Sequence, residues 1–274
     1  MAKAPPSIAA TSTLAMICAA AARGVETDDV LARVGLSRSN LEDPDARLPG
    51  TTVLTVWSAL RERTGDPALQ LAAPCALPFG GYRVIDYLVA SSATVGDGMT
   101  RFMRFFGLIA DGVQLEIVHD DGVHALVLEM ADGDPVPPVY VDYVYAALVS
   151  RTRMHIRRAL QVNRVELRQP TPPTAAEHEE LFQAPVLFGS AADRLCFTDE
   201  EWAAPMETAD AVLAQLFEEH ARLLAERVPR ASSGFDSDVR SAIASLLPEG
   251  VSAEVVASAL NVSVRTLQRR LVDA

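Results

Sequence analysis

Cysteine is scarce in this chain. Cys18, Cys75 and Cys196 are an odd number with no Cys-x-x-Cys spacing, which argues against a disulfide framework and against a cysteine-built zinc site. Reduced thiols in a cytoplasmic protein are the expectation. No apolar run reaches the length of a membrane span and 22% of the residues are charged, so neither a transmembrane helix nor a membrane partner is expected. A secretory leader is also disfavoured. The Ala-rich stretch from Leu14 to Ala22 is preceded by Lys3 alone, whereas Leu14, Ile17, Cys18 and Ala21 recur at the spacing of an amphipathic helix that Gly24 would stop. Missing too are a nucleophile beside a base and carboxylates paired at a usable spacing, so no enzyme and no cofactor are expected. There is no internal repeat.

What remains is ample core-forming material: 49% of the 274 residues are apolar, enough for one large domain or two modest ones. The formal charge of -12 sits badly with phosphate binding until it is located. Residues 235–274 account for only -1 of it, and Leu260 to Val272 holds three arginines and no acid. The balance therefore reverses locally, where a DNA surface would need it to.

Helical periodicity recurs through the first third. Thr27 before Asp28 and Asp29 is a cap signal and Gly35 a stop. Val53, Leu54, Trp57 and Leu60 share a face of a helix over about Thr51 to Arg63, which Gly65-Asp66-Pro67 ends. A third helix covers Val95 to Ile109, where Phe102, Phe105, Phe106 and Ile109 form a stripe better suited to a core than to a ligand box. Val113 to His119 and Val123 to Met130, joined by Asp121-Gly122, alternate as a hairpin with Val113, Leu115, Ile117, Leu126, Leu128 and Met130 on one face. A long helix from Pro138 to Leu160 follows, then short strands at Arg164 to Arg168, Pro185 to Phe188 and Leu195 to Phe197. A last helix of this part, Ala209 to Arg227, carries Leu213, Leu216, Phe217, His220 and Leu224 as a stripe that is either core or a dimer seam.

The fold class is α+β: a mixed helix/strand sensor domain over residues 1–228, a turn-rich linker over 229–237, and a small all-α segment over 238–274. That segment reads as helix, turn, helix. Val239 to Leu247 comes first, with Ile243, Leu246 and Leu247 facing inward. Ser252 caps a second helix, Asn261 sits at a left-handed turn, and Ser263 caps a third. In the third helix Arg265, Gln268 and Arg269 share a face, with Leu267 and Leu271 opposite. Arg and Gln are suited to bidentate contacts with guanine and adenine, and Ser263 and Thr266 to phosphate. On spacing alone, a three-helix bundle with a solvated basic face is equally compatible.

The run Val256-Ala257-Ser258-Ala259-Leu260-Asn261-Val262-Ser263-Val264-Arg265-Thr266-Leu267-Gln268-Arg269-Arg270-Leu271 resembles the first helix-turn-helix of AraC-type regulators, Val-Ala-x-x-Leu-x-x-Ser-x-Arg-Thr-Leu-x-Arg-x-Leu. Asn261 stands where that family usually has Gly. Upstream, Thr64-Gly65-Asp66-Pro67-Ala68-Leu69-x-Leu71, Gly80-Gly81-Tyr82, Ser91-Ser92-Ala93-Thr94-Val95-Gly96 and Leu181-Phe182-x-x-Pro185-Val186-x-Phe188 resemble the arabinose-binding-type sensor of many such regulators. The resemblance implies a ligand-responsive transcription regulator in which Arg265, Gln268 and Arg269 read bases and Leu267 and Leu271 seat the recognition helix. The family's reader has two helix-turn-helix units. Only the first is recognisable in these 274 residues, which implies weak DNA binding by them alone or a module acting through protein contacts.

In the sensor, Phe79, Tyr82, Arg83 and Tyr87 are the candidate effector-binding residues, for a small apolar molecule or an organic acid. His119 and His124 face each other across the hairpin. With no third ligand at a recognisable spacing, a plain cross-strand pair is preferred to a metal site. Arg151, Arg153, Arg157 and Arg158 read as a solvated cationic face near a helix C-terminus. A homodimer is the expected assembly.

Overall fold

A computed structural model describes residues 6–131, 133–156, 160–228, 239, 243, 252–260 and 262–272. The chain opens with β1 (Ser7–Ala9), which pairs antiparallel with β2 (Arg47–Pro49), Ile8 opposite Leu48. Between them lie α1 (Ala10–Ala22), α2 (Asp28–Ala32) and α3 (Arg38–Glu42). The alanines of α1 favour helix, but not the one-sided helix expected. Ala15, Met16, Ile17, Ala19 and Ala20 are all buried, whereas Leu14 and Cys18 are half-buried and Ala21 is exposed. Small side chains let α1 pack on several sides at once, so the apolar stripe does not mark its buried face.

The helical layer continues with α4 (Gly50–Thr64), α5 (Leu69–Ala72), α6 (Val84–Ala90) and α7 (Val95–Arg104). In α4 Val53, Trp57 and Leu60 are fully buried and Gly65, at φ +66°, ends it. Helix α7 stops five residues before its expected end. Phe105 and Phe106 are both buried, and a 3₁₀ turn over Phe106–Leu108 brings these neighbours inward where a continuing α-helix would separate them by about 100°.

Strands β3 (Val113–Asp120), β4 (Val123–Met130), β5 (Arg164–Leu167), β6 (Val186–Phe188) and β7 (Arg194–Thr198) form one sheet in the order β3-β4-β7-β5-β6, parallel only between β5 and β6. Asp121 and Gly122 have φ values of +47° and +72°, as a two-residue hairpin turn requires. The pairing puts Leu115 against Leu128, Ile117 against Leu126 and His119 against His124, the register the alternation predicts. Helix α9 (Ala175–Phe182) makes the β5–β6 crossover.

Helix α8 (Pro138–Arg153) runs between the sheet and the helical layer and is buried almost all round, from Tyr140 to Thr152. It is shorter than its periodicity suggests. After Arg153 the chain turns, and His155 then bonds through its backbone to Thr152 and Glu207. Helices α10 (Asp199–Trp202) and α11 (Ala211–Ala225) complete this body. Asp210 caps α11 by accepting from the Val212 and Leu213 amides. Its stripe is split: Phe217 and Leu224 pack on the core, while Leu213 and Leu216 are exposed, as are Val212 and Leu223.

A carboxylate buried on α8 needs hydrogen-bond partners. Asp142 accepts from Gln70 Nε2 at 3.1 Å and Gln169 Nε2 at 2.8 Å. His178 on α9, fully buried, donates from Nδ1 to the Thr174 carbonyl and places Nε2 3.1 Å from Asp142 Oδ1. Burial lowers the imidazole's pKa, but the Asp142 carboxylate, the Thr174 carbonyl and Glu177 outweigh it and hold it above its ordinary 6.5. A raised folded-state pKa contributes stability that is complete below the unfolded value and fades as pH rises through the folded one. The urea midpoint of the protein is therefore expected to carry a component that falls as pH rises from the ordinary histidine range through the raised folded-state value, absent in His178→Gln. Parallel profiles for the two proteins would remove His178 as its source.

Candidate effector cavity and DNA-reading face

Arg151, in the last turn of α8, is the most densely bonded side chain beside the cavities among the described residues. Its Nε and Nη2 hold the two Asp86 carboxylate oxygens at 2.6 Å each. Its Nη1 donates to the carbonyls of Pro74 and Leu77 at 3.0 and 3.2 Å, and Nη2 to that of Pro78 at 3.1 Å. All five N–H groups thus have acceptors, and the guanidinium lies 4.6 Å over the Tyr82 ring. Asp86 also accepts from the Tyr82 amide at 2.9 Å. The expectation of a solvated cationic face fails here: Arg151 is 11% exposed. Arg153 is also turned inward, its Nη atoms donating to the Leu181 and Phe182 carbonyls at the end of α9. Helix periodicity assigned both to the outside because the acceptors come from distant parts of the chain. Arg157 and Arg158 lie outside the described residues.

This knot shapes two neighbouring cavities. One, about 40 Å³, is an apolar crevice walled by Ile85, Phe102, Phe106, Tyr143, Leu148 and His155. It is polar only in name. Tyr82 and Tyr143 bond each other at 2.6 Å and burial pushes both phenols far above their usual range. Burial likewise lowers the His155 pKa, and Arg151 has no donor to spare. The second cavity, about 270 Å³, lies between the start of α1, the segment before β2, the start of α6 and the end of α11. Tyr82, Ile85 and Ile109 line both. Three arginines, Arg47, Arg83 and Arg227, stand on the larger cavity's wall against one acid, Asp45. Arg47 is partly committed: it donates to Ser7 Oγ, Ser7 O and Leu108 O at 2.9, 3.1 and 2.8 Å, and burial lowers its pKa. Arg83 and Arg227 are exposed.

Of the four residues proposed from sequence, Tyr82 and Arg83 therefore line the larger cavity. Phe79 and Tyr87 lie elsewhere. They meet edge to face at 4.9 Å, Phe79 reaching His155 and Tyr87 stacking on Phe217 of α11 at 5.2 Å. Gly80 permits this. It has φ +85°, and a Cβ there would come within 2.6 Å of the Tyr87 hydroxyl. Arg47, Asp45 and Arg227 were missed because no local pattern joins segments so far apart in sequence.

The C-terminal helices α12 (Ala253–Ala259) and α13 (Val264–Val272) form their own small apolar cluster of Val239, Val256, Ala257 and Leu267. Ser252 caps α12 through the Val255 amide, and Ser263 accepts from the Thr266 amide at 3.1 Å and meets its hydroxyl at 2.9 Å. Leu267 is 4% exposed; Arg265, Gln268 and Arg269 are exposed together on the other side, with Ser263 exposed and Thr266 half-buried. Two expectations fail. Leu271 is 42% exposed and Ile243 36%, because the small cluster closes around Leu267 without them. Leu246, Leu247 and Asn261 lie outside the described residues, as does the expected linker over 229–237.

Residues 24–206 match the family described as the arabinose-binding domain of AraC transcription regulators, N-terminal. The ornithine utilization regulator of Pseudomonas aeruginosa is 24% identical over 257 residues, covering 89% of this chain and 75% of that protein. An HTH-type transcriptional regulator of Mycobacterium tuberculosis is 26% identical over 269 residues, 92% of this chain and 74% of the relative. The crystal structure of the transcriptional regulator CdpR from Pseudomonas aeruginosa superposes with a TM-score of 0.51 at 18% identity, over 90% of this chain and 77% of that one, and so shares the fold.

Removing one partner of a buried ion pair leaves the other charge stranded, at a cost of about 3–5 kcal/mol. Arg151→Ala and Asp86→Ala should each lower unfolding stability by that order, and Arg151→Met with Asp86→Leu by less. Urea unfolding is the measurement. Single-variant losses below about 1 kcal/mol would show the pair to be no stronger than a surface one.

Proposed function

The chain belongs to the AraC transcription regulators that carry an arabinose-binding-type N-terminal domain, and from that premise we propose that it is a ligand-responsive DNA-binding regulator and not an enzyme. In this reading residues 1–228 sense an effector and dimerise, 229–237 link, and 238–274 present the first helix-turn-helix of the reader, in the cytoplasm. One observation carries the DNA assignment: Arg265, Gln268 and Arg269 stand exposed at the spacing of a single helix face while Leu267 anchors the helix from behind. Arg is suited to guanine O6 and N7 and Gln to adenine N6 and N7. Ser263 and Thr266, at the helix start, suit phosphate.

The effector we propose is a small organic acid in the 270 Å³ cavity. Three arginines against one aspartate favour an anion, and the apolar residues Tyr82, Ile85, Leu108 and Ile109 favour a hydrocarbon part over a polyhydroxylated one. Leu224, in the last turn of α11, and Arg227 and Val228, just after it, belong to the same wall, and they lead into the linker. A ligand there is placed to bias how the reader is presented. The exposed Val212, Leu213, Leu216 and Leu223 of α11 are the seam proposed for a homodimer.

Two measurements follow. In fluorescence anisotropy on a duplex recovered by selection, Arg269→Ala should cost about 1–3 kcal/mol and relax the preference at one base pair. An equal loss on a scrambled duplex would make Arg269 a phosphate contact. In thermal-shift screening, small monocarboxylic acids should raise the melting temperature, and Arg83→Ala with Arg227→Ala should abolish the rise. A response confined to sugars would overturn the organic-acid assignment while leaving the DNA reading intact.

A further inference from the structure

We propose that His119, His124 and Asp199 form a binding site for a divalent transition-metal ion, zinc in the first instance, at the tip of the β3–β4 hairpin. The sequence offered two facing histidines and no third ligand. The fold supplies it from 80 residues away: Asp199 begins α10, and its amide donates to the Gly122 carbonyl at 3.1 Å, tying that helix to the hairpin turn. His119 Nε2 and His124 Nε2 lie 2.9 and 3.0 Å from the same oxygen, Asp199 Oδ1, and all three ligand atoms fall within 4.8 Å of one another.

That spacing suits coordination. Zinc–nitrogen and zinc–oxygen bonds of about 2.0–2.2 Å at tetrahedral angles separate ligand atoms by about 3.3–3.5 Å, so the Asp199 oxygen needs to draw back from each histidine nitrogen by only a few tenths of an ångström. The site is held from behind. The histidine rings stack at 4.2 Å, and Trp202 lies flat on His124 at 4.4 Å and 7°. Trp202 in turn rests on Gly96, where a Cβ would come within 2.2 Å of the indole nitrogen. The front is open: the His119 and Asp199 side chains are 52% and 60% exposed, leaving room for water at the remaining coordination positions. Asp120, Asp121 and Glu200, adjacent in sequence and exposed, add negative charge around the site. Two imidazoles and one carboxylate favour zinc, nickel or copper over magnesium or calcium. The rival account is a carboxylate that merely accepts an Nε2–H from each ring, and it predicts no ion.

The test uses the full chain. Calorimetric titration with zinc chloride should find one ion per chain, and a hundredfold excess over the dissociation constant should raise the melting temperature by about 5 °C or more. His119→Ala, His124→Ala and Asp199→Asn should each weaken binding by at least about tenfold, while Cys75→Ser, removing an exposed thiol, should leave it unchanged. Copper should quench the emission of Trp202 and spare that of the fully buried Trp57. His119, the more exposed of the two histidines, keeps the test valid if His124→Ala fails to fold. No binding by the wild-type chain, binding undiminished in His119→Ala and Asp199→Asn, or binding lost in Cys75→Ser would overturn the proposal.

Discussion

The clasp of Arg151 on Asp86 is the interaction on which the sensor's working geometry depends. A guanidinium taken this far out of water is tolerated only if its charge and every N–H are answered. The answer comes from two places: the first turn of α6 gives Asp86, and the segment from Pro74 to Pro78 turns three carbonyls inward. One side chain at the end of α8 therefore fixes a helix and a loop together. Tyr82 sits under the guanidinium, bonded through its amide to Asp86 and through its hydroxyl to Tyr143, and from there it forms a wall common to both cavities.

A fixed wall on one side gives meaning to a less fixed one on the other. Helix α11 lies on α6 with only Ala214 and Ala221 fully buried. Part of its attachment is ionic: Glu218 meets Arg101 of α7 at 3.4 Å and Arg104 at 2.7 Å. Partly exposed pairs of this kind hold a helix more weakly than a packed core does. The larger cavity thus has one wall anchored by a buried clasp and another made by the end of a helix held more lightly. In the proposed reading, a ligand bound between unequal walls moves the weaker one, and the weaker one leads toward the reader.

Local signals were legible and distant ones were not. The Asp121-Gly122 turn, the alternation of Val113 to Met130 and the caps at Ser252 and Ser263 are written within a few residues of one another, and the structure has them. The family motif around Arg265 was equally readable. Strands β1 and β2 were not, being three residues each and too short for a period. The burial of Arg151 and the third member of the His119–His124 group depend on acceptors and ligands 65 and 80 residues away, which no spacing rule reaches. Helix α1 misled for another reason, since an alanine-rich helix carries little amphipathic signal even when it is buried on most sides.

The claim at the centre is that effector binding acts on the end of α11. Amide hydrogen exchange, measured with and without whichever acid most raises the melting temperature, tests it directly. The account predicts slowed exchange in two segments that meet at the cavity, Tyr82 to Ile85 and Leu224 to Val228, with the Pro74–Pro78 segment unchanged because the clasp already holds it. Protection confined to other parts of the sensor, with Leu224 to Val228 exchanging as before, would contradict it.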